Sequence, residues 1–480
     1  METERTGTRI PYGKGIELYG KSPPSVQKVL GFFLTPIPRS VMLGSGFHAF
    51  FRELNRTQWF KPERLKRIQE SRLRALIGHA YNNVPYYHRM FKDRGIRPDD
   101  IRTIEDLRKL PILTKDDVRN HFYELVATNA RDYKYGISST SGSTGNPLTF
   151  YLDQQNREIE YATHWRQRRW ANVDFDSKIA SFRGFRGNLR WINPQSGKPR
   201  WKFNALSKEL EFNIFGVNEA TVKTHVNRLR KFRPRLIEGY PSAIELFAGY
   251  ILKHNVEGIS PAAVQTSSET LSNRQRDVIE EAFGCKLYDW YSQSEYVVAA
   301  GQCPEGNYHI VESGLMEFIK DGEQASEGEI GEIIGTRLYN YSMPFIRYRV
   351  TDLGRYSKER CSCGRGLPIV RSLEGRVYDS ILTPDGKLLS GVSVAYYWEN
   401  QIIQFTPNVE LIHIIQKTRN RLLIEMVKKE GYSDQETQAI LRGLKSLLGS
   451  EIQIEFKYLD SIPTGRKWRF TESELNISLI

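Results

Sequence analysis

Between Arg233 and Ser292 the chain alternates short apolar runs with amphipathic stretches, and few folds accept that pattern. RPRLIEGYPSAIELFAGYILK reads as a strand, a turn at Tyr240-Pro241-Ser242, then a helix. AVQTSSE ends a second strand, LSNRQRDVIEEAF is a helix, and CKLYDWYS is a further strand. One helix between successive strands predicts parallel βαβ units, because a parallel connection needs a crossover long enough to pack on the sheet face. Sheets of this kind place ligands beyond the carboxyl ends of their strands.

The flanks fit an α/β protein of more than one domain, as a chain of 480 residues requires. Residues 1–55 read as an irregular extension with scattered Pro and Gly. KPERLKRIQESRLRALIGHAY puts Leu65, Ile68, Leu76 and Ala80 on one helical face. Thr103 with Asp106, and Thr114 with Asp117, are spaced as capping boxes. Residues 153–170 are predicted helical, and 315–358 strand-rich with glycine punctuation. Past LEGR the pattern changes. VELIHIIQ and RLLIEMV flank the turn KTRN as a hairpin, Ser433 and Glu436 cap a helix, and EIQIEFKYL is a last strand. The expected division is a large domain over 1–377 and a small α+β domain over 378–480.

Hydrophobic residues at 39% and charged residues at 26% are ordinary for a soluble globular protein. Nothing from Met1 onward reads as a signal peptide. The apolar run over 29–51 is broken by Pro36, Pro38 and Arg39, a poor membrane span whose alternatives are packing on the main body or peripheral membrane contact. Four irregularly spaced cysteines exclude a disulfide framework and fit a reducing cytoplasm. The formal charge of +13 favours polyanionic partners. Arginines alternate with aromatics in HWRQRRW and FRGFRGNLRW, but no nucleic-acid motif accompanies them, so nucleic acid is not the expected partner. A solvated arginine face, or a role on nucleotide phosphates, is expected instead.

SSTSGSTGNPL, over 138–148, has the composition of a loop whose N–H groups and hydroxyls can wrap a polyphosphate. It lacks the GxxxxGK[ST] spacing of a Walker A loop. It is also the first of six ordered motifs. The others are TSSETL (266–271), YDWYSQSE (288–295), RYRVTDLGR (347–355), LEGRVYD (373–379) and PTGRKWRF (463–470). Together they resemble the adenylate-forming superfamily, most closely its phenylacetate-CoA ligase branch with the capsular-polysaccharide-biosynthesis relatives. VPYYHRMF through LPILTKDDVR is similar to that branch's amino-terminal signature.

The resemblance implies ATP-dependent activation of a small carboxylic acid, aryl or arylacetic by family default, followed by transfer to coenzyme A. Thr140, Ser141, Gly142, Ser143, Thr144 and Gly145 then hold phosphates. Glu295 matches the Mg²⁺ carboxylate, and Asp352 the acceptor of ribose hydroxyls. Arg376 contacts ribose or phosphate. Ser268, Glu269, Tyr291, Ser292 and Gln293 line the nucleotide, with Tyr291 placed to stack on adenine. Relatives carry Asp or Lys at the interdomain hinge, where this chain has Tyr378 followed by Asp379. Aligning Arg469-Phe470 places Lys467 on the lysine that neutralises carboxylate and α-phosphate, delivered by a mobile carboxyl-terminal lid. Arg466 competes if Thr464-Gly465 sets the register. An amine, carrier protein or sugar nucleotide as acceptor, and a non-catalytic nucleotide-binding protein on a degenerate ligase fold, are the alternative readings. A homodimer is compatible with the branch.

A second constellation is independent of ATP. Cys303 and His309 in CPEGNYH, with Cys361 and Cys363 in CSCG, supply three thiolates and an imidazole. That is a complete tetrahedral set for a structural zinc ion, with no position left open. Cys285, at an apolar strand start, is expected in the core.

Overall fold

The computed structural model describes residues 38–140, 148–183, 201–205, 207–213, 219–376, 379–386, 388–389, 391–460 and 470–475. After a single helical turn at Arg39–Met42 come helices α1 (Ser45–Thr57), α2 (Pro62–Asn83) and α3 (Pro85–Asp93). Helix α2 starts on Pro62, whose fixed φ suits the first helical position. It buries Leu65, Leu76 and Ala80 of the expected stripe and adds Leu73 and Ile77, while Ile68 is half-buried. Thr114 forms its capping box: backbone N and Oγ1 donate to the Asp117 carboxylate at 2.8 and 2.6 Å, and Thr114 Oγ1 accepts from Asp117 N at 3.1 Å. At Thr103 the same two donors reach Asp106, ahead of a 3-10 turn rather than an α-helix.

Helix α1 corrects the reading of 1–55 as irregular. Phe47, Phe51 and Leu54 recur at helical spacing, and Phe47 meets Tyr161 and Phe175 with ring centroids 5.6 and 5.8 Å apart. The helix therefore packs on the body of the protein. Among the described residues no helix is long and apolar enough to cross a membrane.

Strands β1 (Gly136–Ser139) and β2 (Thr149–Leu152) form a hairpin around the Ser/Gly loop and lead into helix α4 (Gln154–Trp170). Helix α4 corrects the solvated arginine face expected for HWRQRRW, whereas residues 184–191 of FRGFRGNLRW lie outside the described residues. Arg166 is 1% exposed and Arg168 7%. Arg166 holds both oxygens of Glu312 at 2.8 Å, and Arg168 holds Glu238 at 2.5 Å. Only pairing makes such burial tolerable, and removing one partner of a buried pair typically costs about 3–5 kcal/mol.

The next elements are β3 (Ile179–Arg183), β4 (Trp201–Asn204), β5 (Glu209–Asn213), α5 (Glu219–Phe232), β6 (Leu236–Gly239), α6 (Pro241–Lys253), β7 (Ala263–Ser267), α7 (Asn273–Phe283) and β8 (Leu287–Ser292). Then come β9 (Ala299–Gln302), β10 (Tyr308–Ile310), β11 (Gly314–Lys320), β12 (Glu323–Gln324), β13 (Ile330–Arg337), β14 (Tyr348–Ser357) and β15 (Ile369–Arg376). Among the described residues β3 to β15 form one sheet, ordered β12-β11-β13-β14-β15-β10-β9-β8-β7-β6-β3-β5-β4. Strands β5, β3, β6, β7 and β8 are parallel neighbours, and the remaining pairs are antiparallel. The predicted βαβ units are thus present, with α5, α6 and α7 closing a core around Phe182, Phe212 and Phe247. At Gly239, where β6 turns into α6, a Cβ would stand 2.3 Å from the Phe182 carbonyl oxygen, so the close approach of β3 and β6 needs glycine.

Past β15 lie β16 (Ile381–Leu382), β17 (Leu388–Leu389), α8 (Gly391–Tyr397), β18 (Val409–Thr418), β19 (Arg421–Lys428), α9 (Asp434–Leu448), β20 (Gln453–Tyr458) and β21 (Thr471–Ser473). The hairpin β18–β19 anchors a sheet ordered β20-β19-β18-β21. Its core of Ile412, Ile414, Leu422, Ile424, Ile440 and Leu444 is separate from the cores of the large sheet. The Ser433–Glu436 capping box opens α9 as expected.

Candidate active site and candidate metal centre

The motif residues gather where the parallel strands end and β14 meets β15. Antiparallel register sets Asp352 opposite Arg376, and their side chains pair, Arg376 Nε lying 3.3 Å from Asp352 Oδ1. Tyr291, from the end of β8, donates its hydroxyl to Asp352 Oδ2 at 2.8 Å. Burial, then the adjacent Asp352 charge, holds the Tyr291 phenol well above its ordinary pKa, so it stays a donor. Arg376 is held above its own ordinary range by Asp352 first, and burial opposes that shift. Asp379 and Glu295 add to that shift through their negative charge. Each carboxylate oxygen offers two lone pairs, so Asp352 can accept a ribose hydroxyl on either oxygen while keeping these partners. The structure gives Tyr291 a hydroxyl role that the stacking expectation did not include.

Glu295 is 7% exposed and receives the Tyr348 hydroxyl on Oε1 at 2.8 Å. Among the described residues its Oε2 takes no hydrogen bond, the arrangement a carboxylate needs to meet a magnesium ion with one oxygen. Tyr348 was not anticipated, although it lies inside the RYRVTDLGR motif. Ser268 sits just past β7 in a left-handed conformation, φ +71°. Its neighbour Glu269 accepts from Ser242 N and Oγ at 3.2 and 2.7 Å, clamping the ends of β6 and β7 together.

The other nucleotide-motif residues have local duties. Ser292 donates to Glu160 Oε1 at 3.1 Å, and Gln293 Oε1 accepts from Val298 N at 3.3 Å. Glu160 is a buried carboxylate on α4, its pKa raised by burial against the opposing charge of Arg337. Thr140 Oγ1 accepts from Leu148 N, and Thr140 N donates to Leu148 O, both at 2.9 Å. The loop is therefore pinned at its neck. Ser141, Gly142, Ser143, Thr144 and Gly145, together with Tyr378, Arg466 and Lys467, lie outside the described residues.

The four candidate zinc ligands are brought together. The ligand atoms of Cys303, His309, Cys361 and Cys363 all lie within 4.8 Å of one another. Cys303 Sγ is 3.6 Å from Cys361 Sγ, and Cys363 Sγ is 3.3 Å from His309 Nε2. Bond lengths of about 2.3 Å to sulfur and 2.0–2.1 Å to nitrogen put tetrahedral ligands about 3.5–3.8 Å apart, so the set fits zinc. Two turns of one design present the thiols. The Cys303 carbonyl accepts from Gly306 N at 2.9 Å and the Cys361 carbonyl from Gly364 N at 3.2 Å. Both glycines are left-handed, φ +81° and +79°, which a side chain would strain.

His309 Nδ1 lies 3.2 Å from the Leu367 carbonyl, which fixes that nitrogen as the N–H and leaves Nε2 to ligate. Burial lowers the His309 pKa to about 4 and pushes the Cys303 thiol up to about 12. A bound cation reverses the thiol shift, since the thiolate is the ligand form. The second turn is also wedged against the carboxyl end of α1. Gly366 N donates to Gln58 O at 2.9 Å, and Arg365 lies between Trp59 and Trp170, 4.9 and 4.3 Å from their ring centroids. Cys285 packs at the edge of the β3–β8 core, with burial pushing its thiol up to about 11, as a structural cysteine should.

Residues 381–474 match the family model of the CapK C-terminal domain. Protein CapK of Staphylococcus aureus is 25% identical over 426 residues, covering 84% of this chain and 88% of that protein. The phenylacetate-coenzyme A ligase of Thermus thermophilus is 25% identical over 329 residues, covering 67% of this chain and 72% of the relative. These similarities support an adenylate-forming ligase of the phenylacetate-CoA ligase and CapK branch. Its fold is shared with crystal structures of 2-hydroxyisobutyryl-CoA ligase in the postadenylation state. In the complex with 2-HIB-AMP the TM-score is 0.67 at 18% identity, over 88% of this chain and 92% of that one.

Proposed function

We propose that this protein activates a carboxylic acid with ATP as an acyl adenylate and passes the acyl group to coenzyme A. In the first step a carboxylate oxygen attacks the α-phosphorus; the new P–O bond replaces the one to pyrophosphate, which leaves. In the second, the sulfur of coenzyme A attacks the acyl carbon, the C–O bond to AMP breaks, and the thiol proton goes to solvent. The observation that supports this most directly is the linked set at the ends of β8 and β15, with Tyr291 and Arg376 both held on Asp352. The named activities of the phenylacetate-CoA ligase relatives support it independently.

In this reading Asp352 accepts the ribose hydroxyls, Arg376 holds that carboxylate in place, and Glu295 would offer Oε2 to the magnesium ion. The ion supplies charge stabilisation on the phosphates when bound. Thr140, at the neck, holds the Ser/Gly loop against departing pyrophosphate. Lys467 is assigned to the reacting carboxylate and α-phosphate, where a compact ammonium touches one oxygen of each. Zinc in the Cys303–His309–Cys361–Cys363 cluster is structural. Transfer to an amine, carrier protein or sugar nucleotide is the second reading, because the match covering 84% of the chain is to a CapK protein.

Acid-dependent release of pyrophosphate across a panel of carboxylic acids tests the first step. Lys467→Ala should lower that release by roughly 100-fold or more, the scale of losing one charge-stabilising group. Absence of acid-dependent release returns the protein to a nucleotide binder, and acid-dependent release unchanged in the variant removes Lys467 from the mechanism. Asp352→Asn should raise the KM for ATP about 10-fold, because a hydrogen bond to a charged acceptor is worth about 1.5–3 kcal/mol. The KM for the acid should stay put. Comparing coenzyme A with amines as acceptors separates the two enzyme readings.

A further inference from the structure

Beneath the nucleotide motifs lies a buried carboxylate that the proposed reaction does not use. Asp289 is on β8, two residues before Tyr291 and therefore on the same face of the strand. It is 5% exposed. The Thr266 hydroxyl reaches Asp289 Oδ1 at 2.5 Å, and the Tyr308 hydroxyl reaches Oδ2 at 2.6 Å. Thr266 is its register partner on β7, two residues before Ser268. Tyr308 comes from β10, with β9 between. One carboxylate thus ties β8 to its neighbour β7 and, across β9, to β10.

The main chain of Asp289 is held as firmly as its side chain. Its N–H donates to Gln302 Oε1 at 3.0 Å, and its carbonyl accepts from Gln167 Nε2 at 2.8 Å. Arg276 NH2 shares the Gln302 oxygen at 2.7 Å, bringing a cation near the carboxylate. Burial raises the Asp289 pKa and the two hydroxyl donors oppose that shift. Burying a carboxylate is costly, and a sheet needs none to stay paired, so its placement under a binding motif calls for a role there. Tyr308 is also the residue before His309. The two side chains leave opposite faces of β10, one toward Asp289 and the other into the cysteine cluster.

We propose that Asp289 is a positioning residue: held by the Thr266 and Tyr308 hydroxyls, it sets β7 and β8 so that Ser268 and Tyr291 meet the nucleotide, and Tyr308 passes to it the constraint the cysteine cluster places on His309. The inference rests on the nucleotide-site reading given above. It adds that the cysteine cluster, which shares no residue with the nucleotide motifs, acts on nucleotide affinity.

The test measures equilibrium binding of a non-hydrolysable ATP analogue to full-length protein, beside steady-state kinetics and thermal midpoints. Asp289→Ala leaves two buried hydroxyls unpartnered and should weaken analogue binding about 10-fold, with Asp289→Asn intermediate because its amide oxygen still accepts one donor. The KM for ATP should rise while the KM for the acid holds. Tyr308→Phe, which keeps the ring and loses the donor, should weaken binding several-fold, and serves if Asp289→Ala does not fold. Stripping metal from the parent protein should mimic Tyr308→Phe, and stripping the variant should add less than it does in the parent. Folded Asp289→Ala and Tyr308→Phe with parental affinity, even at a lower thermal midpoint, overturn the proposal alone. A parent that binds no analogue overturns the nucleotide-site reading, and this inference with it. Equal effects of stripping on parent and variant overturn the link through Tyr308.

Discussion

Replacing Glu295 by glutamine should cut acid-dependent pyrophosphate release roughly 100- to 1,000-fold while the protein stays folded. The reasoning starts from the two oxygens of the side chain. Oε1 accepts the Tyr348 hydroxyl, and the glutamine amide oxygen can take that bond over at once. What glutamine cannot supply is the negative charge facing a divalent cation. The thermal midpoint should hold within about 3 °C or rise slightly, because Glu295 is 7% exposed and a neutral group there costs less to bury. A structural Glu295 would show the reverse, a lowered midpoint with activity retained. Tyr348→Phe sharpens the comparison. It removes one hydrogen bond and no charge, so release should fall about 10-fold at most. Raising magnesium should recover part of the loss in Glu295→Gln. Parental release at low magnesium would remove Glu295 from the site.

The parts of this fold that were legible in the sequence are those in which local chemistry decides. The βαβ spacing from Arg233 to Ser292, the capping boxes at Thr114 and Ser433, and the hairpin around KTRN all depend on residues within one element or its neighbour. The cysteine cluster was legible because ligand chemistry is specific even at loose spacing. What escaped depends on partners distant in the chain. Arg166 and Arg168 look solvated until Glu312 and Glu238, 146 and 70 positions away, arrive to pair with them. Helix α1 was hidden by the Pro and Gly before it, and its apolar stripe is aromatic, which helix propensity scores poorly. Tyr348 and Asp289 are a further kind of miss. Both sit inside recognised motifs, yet only the register between strands shows what their polar atoms touch.

The cysteine cluster gives the largest expected effect on stability. Protein purified without added metal should carry about one equivalent of zinc, and Cys361→Ser should lose most of it. The thermal midpoint should drop with it by roughly 2–4 °C, the equivalent of about 2–3 kcal/mol in a domain of this size. The cluster's position predicts where the loosening appears. The turn bearing Cys361 and Cys363 continues into Gly366, whose N–H holds the end of α1 and where a Cβ would stand 1.8 Å from the Phe60 carbonyl oxygen. Amide exchange should therefore quicken first over residues 54–60 and 361–367, and leave β18 and β19, which belong to a separate core, unchanged. Cys285→Ser is the internal control, since Cys285 is outside the cluster and should leave metal content alone. Metal below about a tenth of an equivalent, or a Cys361→Ser protein that keeps its zinc, would leave the four side chains as buried thiols and an imidazole that happen to meet.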